Sequence, residues 1–114
     1  MKKFLFILLL FISSLSYSQS VCSEGLCVIE FNAGFNEVNK VEWLEKLTDC
    51  GVKRVDIVSN SKSSSKYKIV VVPTLVIFKD GEEAKRFQAN IMMTMEATRK
   101  EVQEAINELI MEKF

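Results

Sequence analysis

One unbroken run of apolar and β-branched residues, residues 70–78, stands out from the more mixed patterns around it. Every position except Pro73 carries a β-branched, aliphatic or aromatic side chain, and the run is far shorter than the roughly 20 residues of a membrane-spanning helix. Such a run is typical of a strand buried on both faces at the centre of a sheet. The Asp80-Gly81 pair that follows is a strong two-residue hairpin signal, so we predict an antiparallel return strand over residues 83–88.

The first half of the domain contains two shorter strand patterns separated by a helical one. Residues 27–33 form a buried strand pattern interrupted by Glu30, and residues 52–58 form a second, partly polar strand. Between them, apolar side chains recur every three positions over residues 37–50, which predicts an amphipathic helix with Asn36 as its N-cap. The apolar stripe of that predicted helix consists of Val38, Val41, Leu44 and Leu47.

Two further segments complete the pattern. The serine-rich residues 59–66 predict a loop that leads into about one helical turn. Residues 95–113 place apolar side chains at helical spacing, which predicts a last helix capped by Thr94. A right-handed crossover would make the first two strands parallel, and the hairpin would add two antiparallel neighbours. The sequence therefore predicts an α/β domain with a central mixed four-stranded sheet flanked by helices.

The N-terminal segment carries the features of a secretory signal peptide. The positively charged pair Lys2-Lys3 precedes an apolar run over residues 4–12, and small residues follow at the spacing that a signal peptidase reads. We predict a signal peptide over residues 1–18, with Ser20 as an alternative cleavage site, and one domain over residues 19–114. The mature protein would then be periplasmic or secreted, without a stable membrane anchor.

Three cysteines and no histidine limit the chemistry available to the chain. In the oxidising compartment that export implies, Cys22, Cys27 and Cys50 allow one disulfide and one remaining thiol, and their pairing is open. A Cys-x4-Cys spacing without histidine is a poor zinc signature, so we expect neither a metal nor a cofactor. Lipid attachment at Cys22 is a weaker alternative, because residues 19–21 make a poor lipoprotein signal.

The charge balance excludes one class of partner. The chain has 15 basic and 15 acidic residues, and loss of Lys2 and Lys3 with the signal peptide would leave a mildly acidic protein. Basic patches with interleaved aromatic residues are absent from the sequence. Nucleic acid is therefore not an expected partner.

The sequence resembles a thioredoxin in two places. Val72-Pro73-Thr74, followed by an apolar strand, a Lys-Asp-Gly-Glu turn and a second strand, resembles the back half of that fold. Residues 28–33 resemble the strand that leads into a thioredoxin active site. The resemblance runs from about residue 28 to residue 114 and implies a minimal thioredoxin fold, without the family's extra N-terminal strand and helix. It also implies a cis Val72–Pro73 bond facing the active site.

Two charged residues take their expected roles from the same resemblance. Glu30 falls where the family keeps a buried acid, and Arg54 falls where the family has a buried lysine. The resemblance therefore implies that Glu30 and Arg54 form a buried ion pair. Loss of one partner of such a pair would cost about 3–5 kcal/mol.

The resemblance breaks at the active-site cysteines. Phe35 and Lys40 keep the register of the family's motif, but Asn36 and Asn39 occupy the two positions where the family has cysteines. An asparagine amide has no ionisable nucleophile, whereas a thiolate at a helix N-terminus is nucleophilic. Capping of the helix is the simplest role for Asn36. A second departure is Ala89, where the family usually has glycine.

The remaining cysteines are predicted to lie far from the proline. Cys27 begins the first strand and Cys50 ends the predicted helix, so both belong at the pole of the domain opposite Pro73. Cys22 is five residues before Cys27 and must be near it. One structural disulfide at the base of the domain is the simplest interpretation, and a redox pair is the alternative.

Three functions follow from these expectations. The first is a non-catalytic, exported domain that binds a polypeptide partner beside the Val72-Pro73 loop, using the residues Phe35, Asn36, Asn39, Val72, Pro73, Thr74, Met92 and Met93. Methionine would give this surface an adaptable apolar contact. The alternative is a thiol–disulfide oxidoreductase that uses Cys22, Cys27 or Cys50. The third is a purely structural accessory domain within a larger envelope complex.

Overall fold

A computed structural model describes Cys22 and residues 24–112. The predicted signal peptide, residues 1–18, lies outside the described residues, and so does the end of the predicted last helix. None of the described helices is long and apolar enough to cross a membrane.

A four-stranded mixed sheet forms the centre of the domain, with the strand order β2-β1-β3-β4. Its strands are β1 (Leu26–Asn32), β2 (Gly51–Asp56), β3 (Thr74–Lys79) and β4 (Glu82–Gln88). Strand β1 pairs in parallel with β2 and antiparallel with β3, which in turn pairs antiparallel with β4. The predicted α/β fold with a mixed four-stranded sheet flanked by helices is confirmed.

The two central strands, β1 and β3, carry the core on both faces of the sheet. Successive side chains of a strand point to opposite faces, so alternate residues of one strand belong to different clusters. One face holds the buried residues Cys27, Ile29, Phe31, Val76 and Phe78. The other face holds Val28, Leu75 and Ile77 together with Val41, Leu44, Leu47, Val102, Ala105 and Ile106. The prediction that the apolar run contains a strand buried on both faces is confirmed.

The strand in that run is shorter than predicted. It begins at Thr74, whereas Val70 lies outside the sheet and is 80% exposed. Pro73 has no backbone N–H to give to a ladder, so pairing starts only after it. The Val72–Pro73 peptide bond is cis, as the resemblance implies.

The predicted helix over residues 37–50 is wrong. The chain instead forms two short 3₁₀ segments, Gly34–Asn39 and Leu44–Lys46, with extended backbone at Lys40 between them. The N–H of Val41 donates to the buried carboxylate of Glu30 at 2.6 Å, so it is not available for a helical hydrogen bond. Three members of the predicted apolar stripe, Val41, Leu44 and Leu47, are still buried, whereas the fourth, Val38, is 86% exposed.

The N-cap prediction for Asn36 is also wrong. Ala33 is the residue that precedes the first 3₁₀ segment, and no side chain caps it. Asn36 lies inside the segment, buried and with non-helical dihedral angles. Its side chain makes long-range hydrogen bonds, which are described below.

Two α-helices complete the described structure. Helix α1 (Ser61–Lys66) matches the short helical segment expected after the serine-rich loop. Helix α2 (Arg99–Met111) begins later than predicted, because Thr98 and not Thr94 is its N-cap. Thr98 and Glu101 form a capping box, in which the threonine hydroxyl accepts from the Glu101 N–H and the Glu101 carboxylate accepts from the Thr98 N–H.

Candidate functional site

A disulfide joins Cys22 and Cys27 at the start of β1. The two Cα atoms are 5.9 Å apart, which is a usual separation for bridged cysteines. Cys27 is buried and belongs to the apolar cluster that contains Phe31 and Phe78, whereas Cys22 is partly exposed beside it. Of the two sulfur atoms, we therefore expect the one of Cys22 to be more accessible to another molecule.

Cys50 is the free cysteine among the described residues. It packs against the core cluster on the opposite face of the sheet from Cys27. Partial burial, together with the negative charge of Asp49, raises the pKa of the Cys50 thiol. A raised pKa leaves little thiolate at neutral pH, so Cys50 is poorly suited to act as a nucleophile.

The disulfide lies at one end of β1 and the cis proline lies beside the other end. Leu26 pairs with Lys79 at the end of β3, and Phe31 pairs with Thr74 at its start. The four residue-to-residue steps from Cys27 to Phe31 span about 13 Å of strand. We call the two ends the disulfide pole and the proline pole. The expectation that Cys27 lies opposite Pro73 is confirmed.

Asn36 connects three segments at the proline pole. Its side-chain Nδ2 lies 3.2 Å from Asn32 Oδ1, 3.1 Å from the Met93 carbonyl oxygen and 3.5 Å from the Val72 carbonyl oxygen. Its Oδ1 accepts a hydrogen bond of 2.8 Å from Asn39 Nδ2. Asn36 thus joins the end of β1, the loop before Pro73 and the loop after β4. A buried side chain with this many partners is a structural connection, and the sequence pattern gave no signal for it.

The other residues predicted at the proline pole differ in accessibility. Phe35 and Met92 are 74% and 73% exposed, and Met93 is 38% exposed. The side chains of Val72 and Thr74 are buried, and the Thr74 hydroxyl donates to the Val71 carbonyl at 2.6 Å. The structure therefore brings the loops of the predicted set to one pole, but four of its side chains, those of Asn36, Val72, Pro73 and Thr74, are buried.

Glu30 and Arg54 lie opposite each other in the parallel pair of β1 and β2. Arg54 Nη1 lies 2.5 Å from Glu30 Oε1, and Arg54 also bridges to the exposed Glu45 at 2.8 Å. The hydrogen bond from Arg54 lowers the pKa of Glu45. Glu30 is almost fully buried, whereas the Arg54 side chain is 30% exposed. The partly exposed arginine thus reaches the buried carboxylate and supplies its counter-charge.

The part of the chain that the structure describes contains no group of three or more histidine, cysteine, aspartate or glutamate residues that could hold a metal ion.

Comparison with known proteins gives a family match over most of the chain. The family model described as Thioredoxin matches residues 10–104. Thioredoxins of Mycobacterium bovis and Mycobacterium tuberculosis are 38% identical over 42 residues. That match covers 37% of this chain and 36% of each relative, so the chain spans about a third of the length of the curated relatives it matches.

Solved structures extend the similarity to most of the domain. The thioredoxin of Fasciola hepatica has a TM-score of 0.56 at 28% identity, over 75% of this chain and 82% of that chain. The thioredoxin of Schistosoma mansoni has a TM-score of 0.62, over 83% of this chain and 86% of that chain. At 20% identity the second similarity shows the fold alone.

The prediction of a non-catalytic binding domain is wrong. It rested on the absence of cysteines at positions 36 and 39 and treated the remaining cysteines as structural. The family match and the Cys22–Cys27 disulfide instead fit the redox alternative. The available signal was the pair Cys22 and Cys27, whose distance from Pro73 does not decide its capacity for thiol–disulfide exchange.

Proposed function

Because the chain belongs to the thioredoxin family, we propose that it is a thiol–disulfide oxidoreductase whose redox couple is the Cys22–Cys27 disulfide. The observation that carries this proposal is the disulfide itself, which pairs one buried and one partly exposed cysteine in a chain of that family. The substrate we propose is a polypeptide with a pair of cysteines. The predicted export of the chain would bring the couple into an oxidising compartment, where such substrates occur.

The proposed reaction is a two-step exchange that balances in electrons. A thiolate of the reduced polypeptide attacks the accessible sulfur of Cys22, which forms a mixed disulfide and releases Cys27 as a thiolate. The second thiolate of the polypeptide then attacks the sulfur of the polypeptide's first cysteine, which is bonded to Cys22 in the mixed disulfide, and releases Cys22 as a thiolate. The polypeptide loses two electrons and gains a disulfide, and the Cys22–Cys27 pair gains those electrons and two protons. Glutathione disulfide can reoxidise the pair by the reverse steps.

A finer part of the proposal concerns the proline pole. We propose that Asn36 and Asn39 stand where other thioredoxins have their redox cysteines, because Phe35 and Lys40 keep the register around them. In that case the chain performs its exchange at the disulfide pole and keeps the proline pole without a thiol. The contact between the Asn36 and Asn39 side chains supports the pairing of these two positions.

Oxidation of a synthetic two-cysteine peptide by the purified exported protein, in glutathione buffer, tests the proposal. We expect Cys22→Ser and Cys27→Ser each to abolish peptide oxidation, because either change removes the disulfide. Cys50→Ser is the matched control and should retain the native rate, since Cys50 packs on the other face of the sheet. Peptide disulfide formation is followed by mass spectrometry after acid quenching.

Two outcomes of that experiment would count against the proposal. If the native protein oxidises the peptide no faster than buffer alone, the disulfide is purely structural. If Cys50→Ser removes the activity while Cys22→Ser retains it, the redox couple has been assigned to the wrong cysteines.

A further inference from the structure

The loop between the two bridged cysteines is held by the β3–β4 turn. The Gly25 N–H donates to Asp80 Oδ1 at 2.8 Å, and the Asp80 N–H donates to the Gly25 carbonyl at 2.9 Å. One aspartate thus satisfies both backbone polar groups of a single glycine that lies 55 positions away in the chain. We call this pair of hydrogen bonds the Gly25–Asp80 clasp.

The clasp acts inside the ring that the disulfide closes. Gly25 lies between Cys22 and Cys27, and its φ of 70° is in the left-handed region that glycine adopts without a steric penalty. Asp80 has a φ of 52°, and aspartate and asparagine are among the few other residues that tolerate this region. The ring is therefore anchored at its middle to the hairpin, independently of the sulfur–sulfur bond.

We propose that Asp80 is a positioning residue that tunes the redox equilibrium of the Cys22–Cys27 couple. The inference rests on the proposed function, in which this couple opens and closes. After reduction, the clasp limits the positions that the loop carrying Cys22 can reach relative to Cys27 in β1. Closing the disulfide then costs less chain entropy, so the clasp raises the effective concentration of one thiol at the other. By linkage, the closed disulfide favours formation of the clasp by the same factor by which the clasp favours closure of the disulfide.

The thiol–disulfide equilibrium constant of the full exported protein with glutathione tests this inference. Asp80→Gly removes the side-chain acceptor but still permits the positive φ, and it leaves two glycines, which a two-residue hairpin turn accepts. We expect this substitution to lower the equilibrium constant for disulfide formation about three- to tenfold, the range expected for loss of one hydrogen bond. Asp80→Asn is the matched control. It removes the same charge but keeps the side-chain oxygen, and its constant should stay within about twofold of the native value.

A second measurement uses the native protein and does not depend on how the variants fold. If the clasp and the disulfide are coupled, the Gly25 amide should exchange its hydrogen more slowly in the oxidised protein than in the reduced protein. Equal exchange in the two states would overturn the inference. It would also be overturned if Asp80→Gly kept the native equilibrium constant, or if Asp80→Asn lowered it as much as Asp80→Gly.

Failure of the inference differs from failure of the proposed function. The glutathione equilibrium is measured without a polypeptide substrate. A normal equilibrium constant that responds to Asp80→Gly, in a protein that fails to oxidise the peptide, would support the clasp and contradict the oxidoreductase. If the native protein oxidises the peptide but Asp80→Gly leaves the equilibrium constant unchanged, the oxidoreductase is supported and the role of the clasp is contradicted.

Discussion

Glu30 shows at the scale of a residue how one buried group can change the local structure. Its carboxylate is almost fully buried in the centre of β1, where an isolated charge would be costly. It is satisfied by Arg54 from the neighbouring strand and by the N–H of Val41. The second of these bonds draws Val41 to the sheet, and that contact interrupts the segment that was predicted to be helical. One carboxylate therefore stabilises β2 against β1 and sets the path of the chain after β1.

Arg54→Met tests the contribution of the Glu30–Arg54 pair to stability. The substitution keeps an apolar side chain of similar length but leaves Glu30 with the Val41 N–H as its remaining described partner. We expect the free energy of unfolding to fall by about 3 kcal/mol, the low end of the range for a broken buried pair, because solvent reaches Arg54. Glu45→Gln is the control, since it weakens only the exposed arm of the same arginine and should cost less than about 1 kcal/mol. Urea denaturation of both variants measures the difference.

Equal stability of Arg54→Met and the native protein would contradict this expectation and show that the Glu30–Arg54 pair makes no net contribution to stability.

The last helix shows at the scale of an element what a periodic pattern fails to specify. The stripe that contains Val102, Ala105 and Ile106 was visible in the sequence and is buried in the structure. The start of the helix was not correctly predicted, because a threonine occurs both at position 94 and at position 98. Only Thr98 has a glutamate three residues later, Glu101, that can complete a capping box. Thr94 is held in the preceding loop by Asn90.

Thr98→Ala and Thr94→Ala form a matched pair that tests this assignment. Loss of the hydroxyl at position 98 removes the acceptor for the Glu101 N–H, so we expect stability to fall by about 1 kcal/mol. The same substitution at position 94 removes a single long hydrogen bond of 3.4 Å in an exposed loop and should change stability by less than about 0.5 kcal/mol. Thermal unfolding of the two variants measures which substitution lowers the stability more. The opposite order would place the helix start near residue 95.

The elements that could be predicted from the sequence are those whose signals lie within the element itself. Strands β1 and β3 and the hairpin were found because their signals are local: an apolar run and an Asp-Gly turn. The segment over residues 37–50 was missed because its backbone partners come from other elements. Val41 bonds Glu30 in β1, and Asn36 bonds Val72 and Met93 in distant loops. A three-residue apolar repeat cannot distinguish an α-helix from a chain that is held in 3₁₀ turns by such partners.

At the scale of the whole molecule, the domain has two poles with different chemistry. The disulfide pole carries Cys22 and Cys27, and the clasp from Asp80 holds the loop between them. The proline pole carries no cysteine and is held by the amide of Asn36. The sequence located both poles but assigned the function to the proline pole, because the resemblance directs attention to the positions where the family has its cysteines. The pairing of Cys22 with Cys27 required the structure.

Introducing cysteines at positions 36 and 39 tests the proposal that Asn36 and Asn39 occupy the family's redox positions. The double substitution Asn36→Cys with Asn39→Cys, in a protein that also carries Cys22→Ser and Cys27→Ser, should form one new disulfide, because the two asparagine side chains already touch at 2.8 Å. We expect mass spectrometry to show the loss of two hydrogens on oxidation, and peptide oxidation to return beside Pro73. Serine at positions 36 and 39 in the same background is the control for the lost amide bonds, which we expect to cost about 1–3 kcal/mol. A folded quadruple variant with two free thiols at those positions would show that they do not correspond to the family's redox pair.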